Sequence, residues 1–112
     1  MADQTTSPAG GDTRIRAALE CLQNDDFENA FRIAANVLRS DSGNVVATNI
    51  LGRILNYQGS YDQAIHAYTR LVELAPDEIE GHVGLAKAYL GDGQTESALD
   101  ALDGADRINP DF

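Results

Sequence analysis

Asp100, Asp103 and Asp106 recur at three-residue spacing, and they belong to a set of seven acids in residues 79–112. Carboxylates can act as general acid and base when a fold holds them across a substrate. Three-residue spacing along one helix instead lays them in a single stripe facing water, so this cluster predicts solubility rather than catalysis. His66 and His82 are the only histidines, and neither has a ligand at i+3 or i+4. Metal coordination requires several such groups to converge, so no metal site is expected. Cys21, the only cysteine, forbids an intrachain disulfide and leaves the redox compartment unread; it is expected to pack as a small apolar residue. Gly91-Asp92-Gly93 has the look of a phosphate- or calcium-loop fragment, but a helix-ending turn accounts for it. No nucleophile stands beside a base. The sequence therefore predicts no enzyme, no catalytic residue and no cofactor.

The chemistry that remains is that of binding. Asn49, Arg53 and Asn56 follow i, i+4, i+7 and share one helical face. A guanidinium there can meet a carboxylate or a backbone carbonyl, and asparagine amides can hold the amides of an extended peptide.

The elements that position these residues are set by a recurrence. Gly52, Ala64 and Pro76 reappear thirty-four residues later as Ala86, Ala98 and Pro110. Flanking residues repeat with them: Leu51 with Leu85, Ile54 with Ala88, Tyr68 with Leu102, Leu74 with Ile108. One period earlier stand Ala18 and Ala30, with Ser42 in the proline slot. In the middle copy Val46, Ile50, Leu51, Ile54 and Leu55 form one apolar helical stripe, and Tyr61, Ile65, Tyr68, Leu71, Val72 and Leu74 form a second. Between them Gly59 can adopt the left-handed conformation that ends a helix. Ser60 with Gln63, and Asp77 with Glu80, are expected to form capping boxes. Gly52 and Ala86 lie mid-helix, where glycine costs about 1 kcal/mol relative to alanine; their pairing with Ala64 and Ala98 predicts closely approaching helix backbones. Pro76 and Pro110 end the second helices, because proline cannot continue the hydrogen-bond ladder.

A thirty-four-residue period carrying Leu51, Gly52, Tyr61, Ala64, Tyr68 and Pro76, then Leu85, Ala86, Tyr89, Ala98, Leu102 and Pro110, resembles the tetratricopeptide repeat. The first copy keeps Ala17, Ala18, Phe27 and Ala30, but Ala34 occupies the large aromatic slot. The consensus tryptophan is replaced by Arg14, Thr48 and His82. The resemblance covers about nine-tenths of the chain and implies an all-α, right-handed solenoid of three antiparallel helix pairs. The expected organisation is a disordered lead over residues 1–11 and a repeat domain over 12–112, with copies at about 11–44, 45–78 and 79–112.

The resemblance also implies that first helices line a concave wall where partners bind. Ile15, Leu19 and Leu22, then Asn49, Arg53 and Asn56, then Val83, Lys87 and Leu90 are the residues it turns inward. That wall would read as apolar flanks around a polar centre, with Arg53 and Lys87 as its cations. Chaperone-binding members of the family grip a C-terminal carboxylate with lysine, arginine and asparagine; the matching positions here hold Ile15, Leu19, Ile50, Glu80 and Gly84. That mode is disfavoured, and a neutral or amphipathic segment suits the wall better.

The net charge of −10 excludes a phosphate-neutralising surface, so no nucleic-acid partner is expected. Residues 79–112 carry half of the excess, two cations against seven acids. No run of eighteen apolar residues offers a membrane span, and the polar start has no signal-peptide pattern; the expected compartment is the cytoplasm. The sequence reading is thus a protein-interaction module that binds a peptide or helix of a partner, in a scaffold or adaptor role. Two alternatives are a regulatory or targeting segment of a longer enzyme, such as a transferase, and homotypic assembly through Leu99, Leu102 and Ile108 of the last helix. That helix carries no polar cap after it, and solenoids need one for solubility; excision from a longer protein is the expected reason.

Overall fold

The computed structural model describes residues 13–110; the expected lead over residues 1–11 lies outside them. Six helices run in order: α1 Thr13–Gln23, α2 Phe27–Ser40, α3 Val45–Tyr57, α4 Tyr61–Leu74, α5 Ile79–Gly91 and α6 Thr95–Ile108. Successive helices pack as hairpins. In addition the backbone of α3 closely approaches that of α1, and α5 that of α3, whereas α2, α4 and α6 make no such close backbone approach to one another. The first helices of the pairs therefore form one continuous layer, backed by the second helices. This is the all-α solenoid that the period implies.

Each hairpin turns on the same backbone conformation. Asp25, Gly59 and Gly93 lie thirty-four residues apart, with φ of 62°, 78° and 81°. Glycine enters this left-handed region without penalty, and aspartate is among the few other residues that tolerate it. One residue later, Asp26, Ser60 and Gln94 donate their backbone N–H to the carbonyls of Cys21, Leu55 and Tyr89 at 2.8, 2.9 and 2.8 Å, which satisfies a carbonyl freed at each helix end.

The helix starts differ from the expected caps. Ser60 makes no side-chain cap bond, and α5 begins at Ile79 with Glu78, not Asp77, before it. Capping side chains occur instead at Asp26, which accepts from Asn29 N at 3.4 Å, and at Asn44, which accepts from Ala47 N at 2.9 Å. Asn44 and Glu78 are the same repeat position. The short asparagine reaches its own first turn, and the glutamate does not cap there.

Ala18, Ala30, Ala34, Val37, Ala47, Ile50 and Ile54 form one core cluster, to which the half-buried Ile15 and Cys21 add. Leu55, Ala64, Tyr68, Leu71 and Ala88 form the next. Burial of each Leu, Ile or Val here contributes about 1.5–3 kcal/mol. The mid-helix glycine also meets an aromatic ring: a Cβ on Gly52 would fall 2.7 Å from the Tyr68 ring. An aromatic plate occupies the space that the glycine leaves.

Candidate functional site

Tyr68 of α4 reaches under both α3 and α5, because Gly52 and Gly84 present bare backbone to its ring. At the Gly84 position the preceding repeat has Ile50. The Tyr68 ring fills that space, and beside it a cavity of ≈ 320 Å³ is lined by Asn49, Arg53, Tyr68, Ile79, Glu80, Val83, Gly84 and Lys87. Ile79, Val83 and the Tyr68 ring make it apolar below. Asn49, Arg53, Glu80 and Lys87 give it a polar rim.

The structure thus brings together Asn49, Arg53, Val83 and Lys87 from the groove set. Arg53 and Lys87 are exposed and Asn49 and Val83 half-buried. Ile15 packs against the first core cluster, and Leu19, 39% exposed, stands at the repeat position of Arg53 and Lys87. Neither lines the cavity. Asn56 is also outside it: its Nδ2 donates to the Gly84 carbonyl at 3.2 Å, which ties α3 to α5, while its Oδ1 is buried without a hydrogen-bond partner. Leu99 and Leu102 of α6 are 58% and 37% exposed, and Ile108 is half-buried.

Tyr68 is the feature that sequence reasoning assigned to packing alone. Its phenol is pushed up to about 12 by burial, with the Arg53 charge pulling the other way, so the hydroxyl stays neutral at physiological pH and can both donate and accept. The signal that could have found the cavity is the pairing of Tyr68 with Gly84, since the copy before pairs Ala34 with Ile50. Large and small have changed sides, and the Tyr68 ring rather than an isoleucine forms the wall at Gly84.

Among the described residues, neither Arg53 nor Lys87 enters an ion pair; the pair found is Arg70–Glu73, at 4.0 Å on the surface of α4. Two unpaired cations beside a carboxylate, Glu80, over an apolar floor can hold a polar backbone and an apolar side chain together. The described residues contain no group of three His, Cys, Asp or Glu side chains placed to hold a metal ion. No helix among them is long and apolar enough to cross a membrane.

Comparison with known proteins agrees with this architecture. The family model described as tetratricopeptide repeat matches residues 55–112. The Schizosaccharomyces pombe DnaJ homolog subfamily C member 7 homolog is 33% identical over 75 residues, which is 67% of this chain and 16% of that protein. The chain spans 16% or less of the curated relatives it matches. Among solved structures, a Thermobaculum terrenum O-GlcNAc transferase superposes with a TM-score of 0.83 at 26% identity, over 95% of this chain and 21% of the transferase. The Yersinia enterocolitica type III secretion chaperone SycD, in complex with a peptide of the translocator YopD, gives a TM-score of 0.83 at 22% identity, over 87% of this chain and 74% of SycD. With the period, the helix pairs and the family model in agreement, the chain belongs to the tetratricopeptide repeat family.

Proposed function

We propose that the chain is a protein-interaction module that receives a peptide or helix of a partner in the groove between α3 and α5. The observation that carries this reading is the cavity itself: an apolar floor of Tyr68, Ile79 and Val83 beneath a rim of Asn49, Arg53 and Lys87. Binding sites commonly combine such a floor with a few placed polar groups. An apolar side chain of the partner enters above Tyr68, and its main-chain carbonyls or an acidic side chain meet Arg53 and Lys87. Asn49 supplies the amide that can pair with an extended backbone. Glu80 on the rim disfavours a ligand with clustered negative charge. The peptide complex of SycD, a protein of the same fold, supports this use of stacked helix pairs.

Selection of a displayed random-peptide library on the immobilised chain tests the reading. Enriched peptides are expected to carry one large apolar residue near an acidic one and to lose binding to Asn49→Ala/Arg53→Ala. Peptides that bind the double variant equally well would remove the groove from the account.

A second reading is favoured by the transferase, 21% of which superposes on this chain: the repeats as a targeting or substrate-positioning segment of a longer enzyme. Sequencing the open reading frame beyond Phe112 separates the two, since only the second reading requires a catalytic domain there.

A further inference from the structure

A second cavity, of ≈ 350 Å³, lies between α5 and α6 and shares no residue with the groove. Leu85 and Ala101 form its apolar floor; His82 and Tyr89 of α5 and Ser97, Asp100, Gly104 and Arg107 of α6 form its walls. The four α6 residues recur at three and four positions, on the opposite side of that helix from Leu102. Their counterparts on α4, Gln63, His66, Arg70 and Glu73, are all exposed although α5 packs on α4. Stacking of a following helix thus leaves this side of a second helix open.

The cavity follows from exchanges particular to this repeat. Where α6 has Ser97 and Gly104, α4 has Gln63 and Arg70, and Arg70 lies toward Glu73 at 4.0 Å. The His82 ring occupies the place of a Cβ on Gly104, and its Nε2 is 3.0 Å from the Pro76 carbonyl, which fixes that wall. Of the three aspartates in the α6 stripe, Asp100 lines the cavity, and Asp103 and Asp106 do not.

Because the helix pair is antiparallel, the cavity has two chemically different ends. Tyr89 from the last turn of α5 stands with Ser97 and Asp100 from the first turns of α6; His82 stands with Gly104 and Arg107 at the other end. Asp100 and Arg107 share a face and are about 10 Å apart along the axis. Among the described residues neither enters an ion pair, and Ser97, Asp100 and Arg107 have no side-chain hydrogen-bond partner. Helical side chains are directed toward the N-terminus, so a guanidinium at 107 is aimed back over Gly104, which has no side chain to obstruct it.

An acceptor end, an apolar middle and a cationic end suit an ammonium and a carboxylate or carbonyl joined by a methylene stem. We propose that this cavity binds a lysine-like ligand, with its ammonium at Asp100, Ser97 and Tyr89, its stem over Leu85 and Ala101, and its carboxylate or main-chain carbonyl at Arg107. Residues 79–112 hold two cations against seven acids, a field that draws in the ammonium end.

The test is a titration of the isotope-labelled full chain with 6-aminohexanoate, followed by heteronuclear NMR. Saturable shifts are expected at the amides of Ser97, Ala101 and Gly104. Hexanoate, which lacks the ammonium, and hexylamine, which lacks the carboxylate, should bind about tenfold or more weakly, because each leaves one charge unanswered. Asp100→Asn and Arg107→Gln should each weaken 6-aminohexanoate to a similar extent at unchanged melting temperature, since both residues are exposed. Asp100→Arg/Arg107→Asp, which exchanges the ends, should recover binding relative to Asp100→Arg alone. Two further probes separate the sources of the ligand: binding by Nα-acetyl-lysine N-methylamide assigns the cavity to a lysine within a partner chain, and binding by free lysine without the amide assigns it to the amino acid. Asn49→Ala/Arg53→Ala should leave the shifts in place, which keeps the cavity separate from the groove. Absence of saturable shifts, shifts centred on Asn49 and Val83, or equal binding by the Asp100→Asn protein would overturn the proposal.

Discussion

The Tyr68 ring occupies the place where a Cβ on Gly84 would lie, so α4 meets α5 through a large residue laid on bare backbone. At the same position one repeat earlier, Ala34 and Ile50 belong to one core cluster with the sizes reversed. The two interfaces fill similar space from opposite sides.

This relationship predicts a strong coupling. Gly84→Ile alone overpacks the contact and should cost about 1–3 kcal/mol, and Tyr68→Ala alone should cost about 3–5 kcal/mol through the cavity it leaves. The double variant rebuilds the Ala34–Ile50 pair and should recover at least about 1 kcal/mol relative to the sum. Denaturant melts of the four proteins measure this. Additive losses would show that the two side chains do not share the space.

Tyr68 also makes stability sensitive to alkali. Its folded pKa of about 12 lies above the ordinary value of 10.0 because burial disfavours the phenolate. A raised pKa means that the stabilisation is complete below about pH 10 and is lost as pH climbs from there toward 12. The denaturation midpoint should therefore fall across that window, and Tyr68→Phe should flatten the fall. The difference in ultraviolet absorbance between wild type and Tyr68→Phe should show the Tyr68 phenol ionising toward pH 12; a difference signal complete near pH 10 would contradict the burial.

Asn56 makes a structural tie and leaves an orphan acceptor, so Asn56→Leu has opposing effects. It forfeits the bond to the Gly84 carbonyl but removes a buried Oδ1 without a partner, a group that typically costs about 1–3 kcal/mol. Leucine already occupies this repeat position at Leu22 and Leu90. Thermal melts are expected to show unchanged or raised stability, and peptide binding in the groove should persist. A loss of binding with the melt unchanged would return Asn56 to the binding set.

Phe27 and Tyr57 stack with centroids 4.5 Å apart and planes at 40°. The same thirty-residue separation joins Tyr61 to Gly91, whose missing side chain leaves space that the Tyr61 ring fills. Tyr57→Ala should therefore cost only the aromatic contact, about 0.5–1.5 kcal/mol, read as a small fall in the denaturation midpoint. A larger loss would mean that Tyr57, 73% exposed, supports more than Phe27.

Most of the fold was legible because its signals are periodic: Gly59 and Gly93 mark turns, Pro76 and Pro110 mark ends, and the apolar stripes agree with both. The capping boxes misled because Ser60 and Asp77 are suitable residues by type, whereas capping depends on which side chain reaches the first turn. In the site, Asn49, Arg53, Val83 and Lys87 followed from register along first helices. The cavity floor did not, since it depends on Tyr68 crossing from a second helix into space vacated by Gly84. Asn56 shares a face with Arg53 by spacing, yet its side chain turns to a neighbouring backbone; periodicity fixes direction around an axis and not hydrogen-bond partners.

The central claim is that the α3–α5 groove selects the partner. Its most direct test is a paired capture from the source organism's lysate, with wild type and Arg53→Glu/Lys87→Glu as baits, both checked for equal helicity and melting temperature, and quantified by mass spectrometry. The account predicts at least one protein that wild type enriches and the variant loses by about tenfold or more. Identical sets of captured proteins at equal abundance would contradict it.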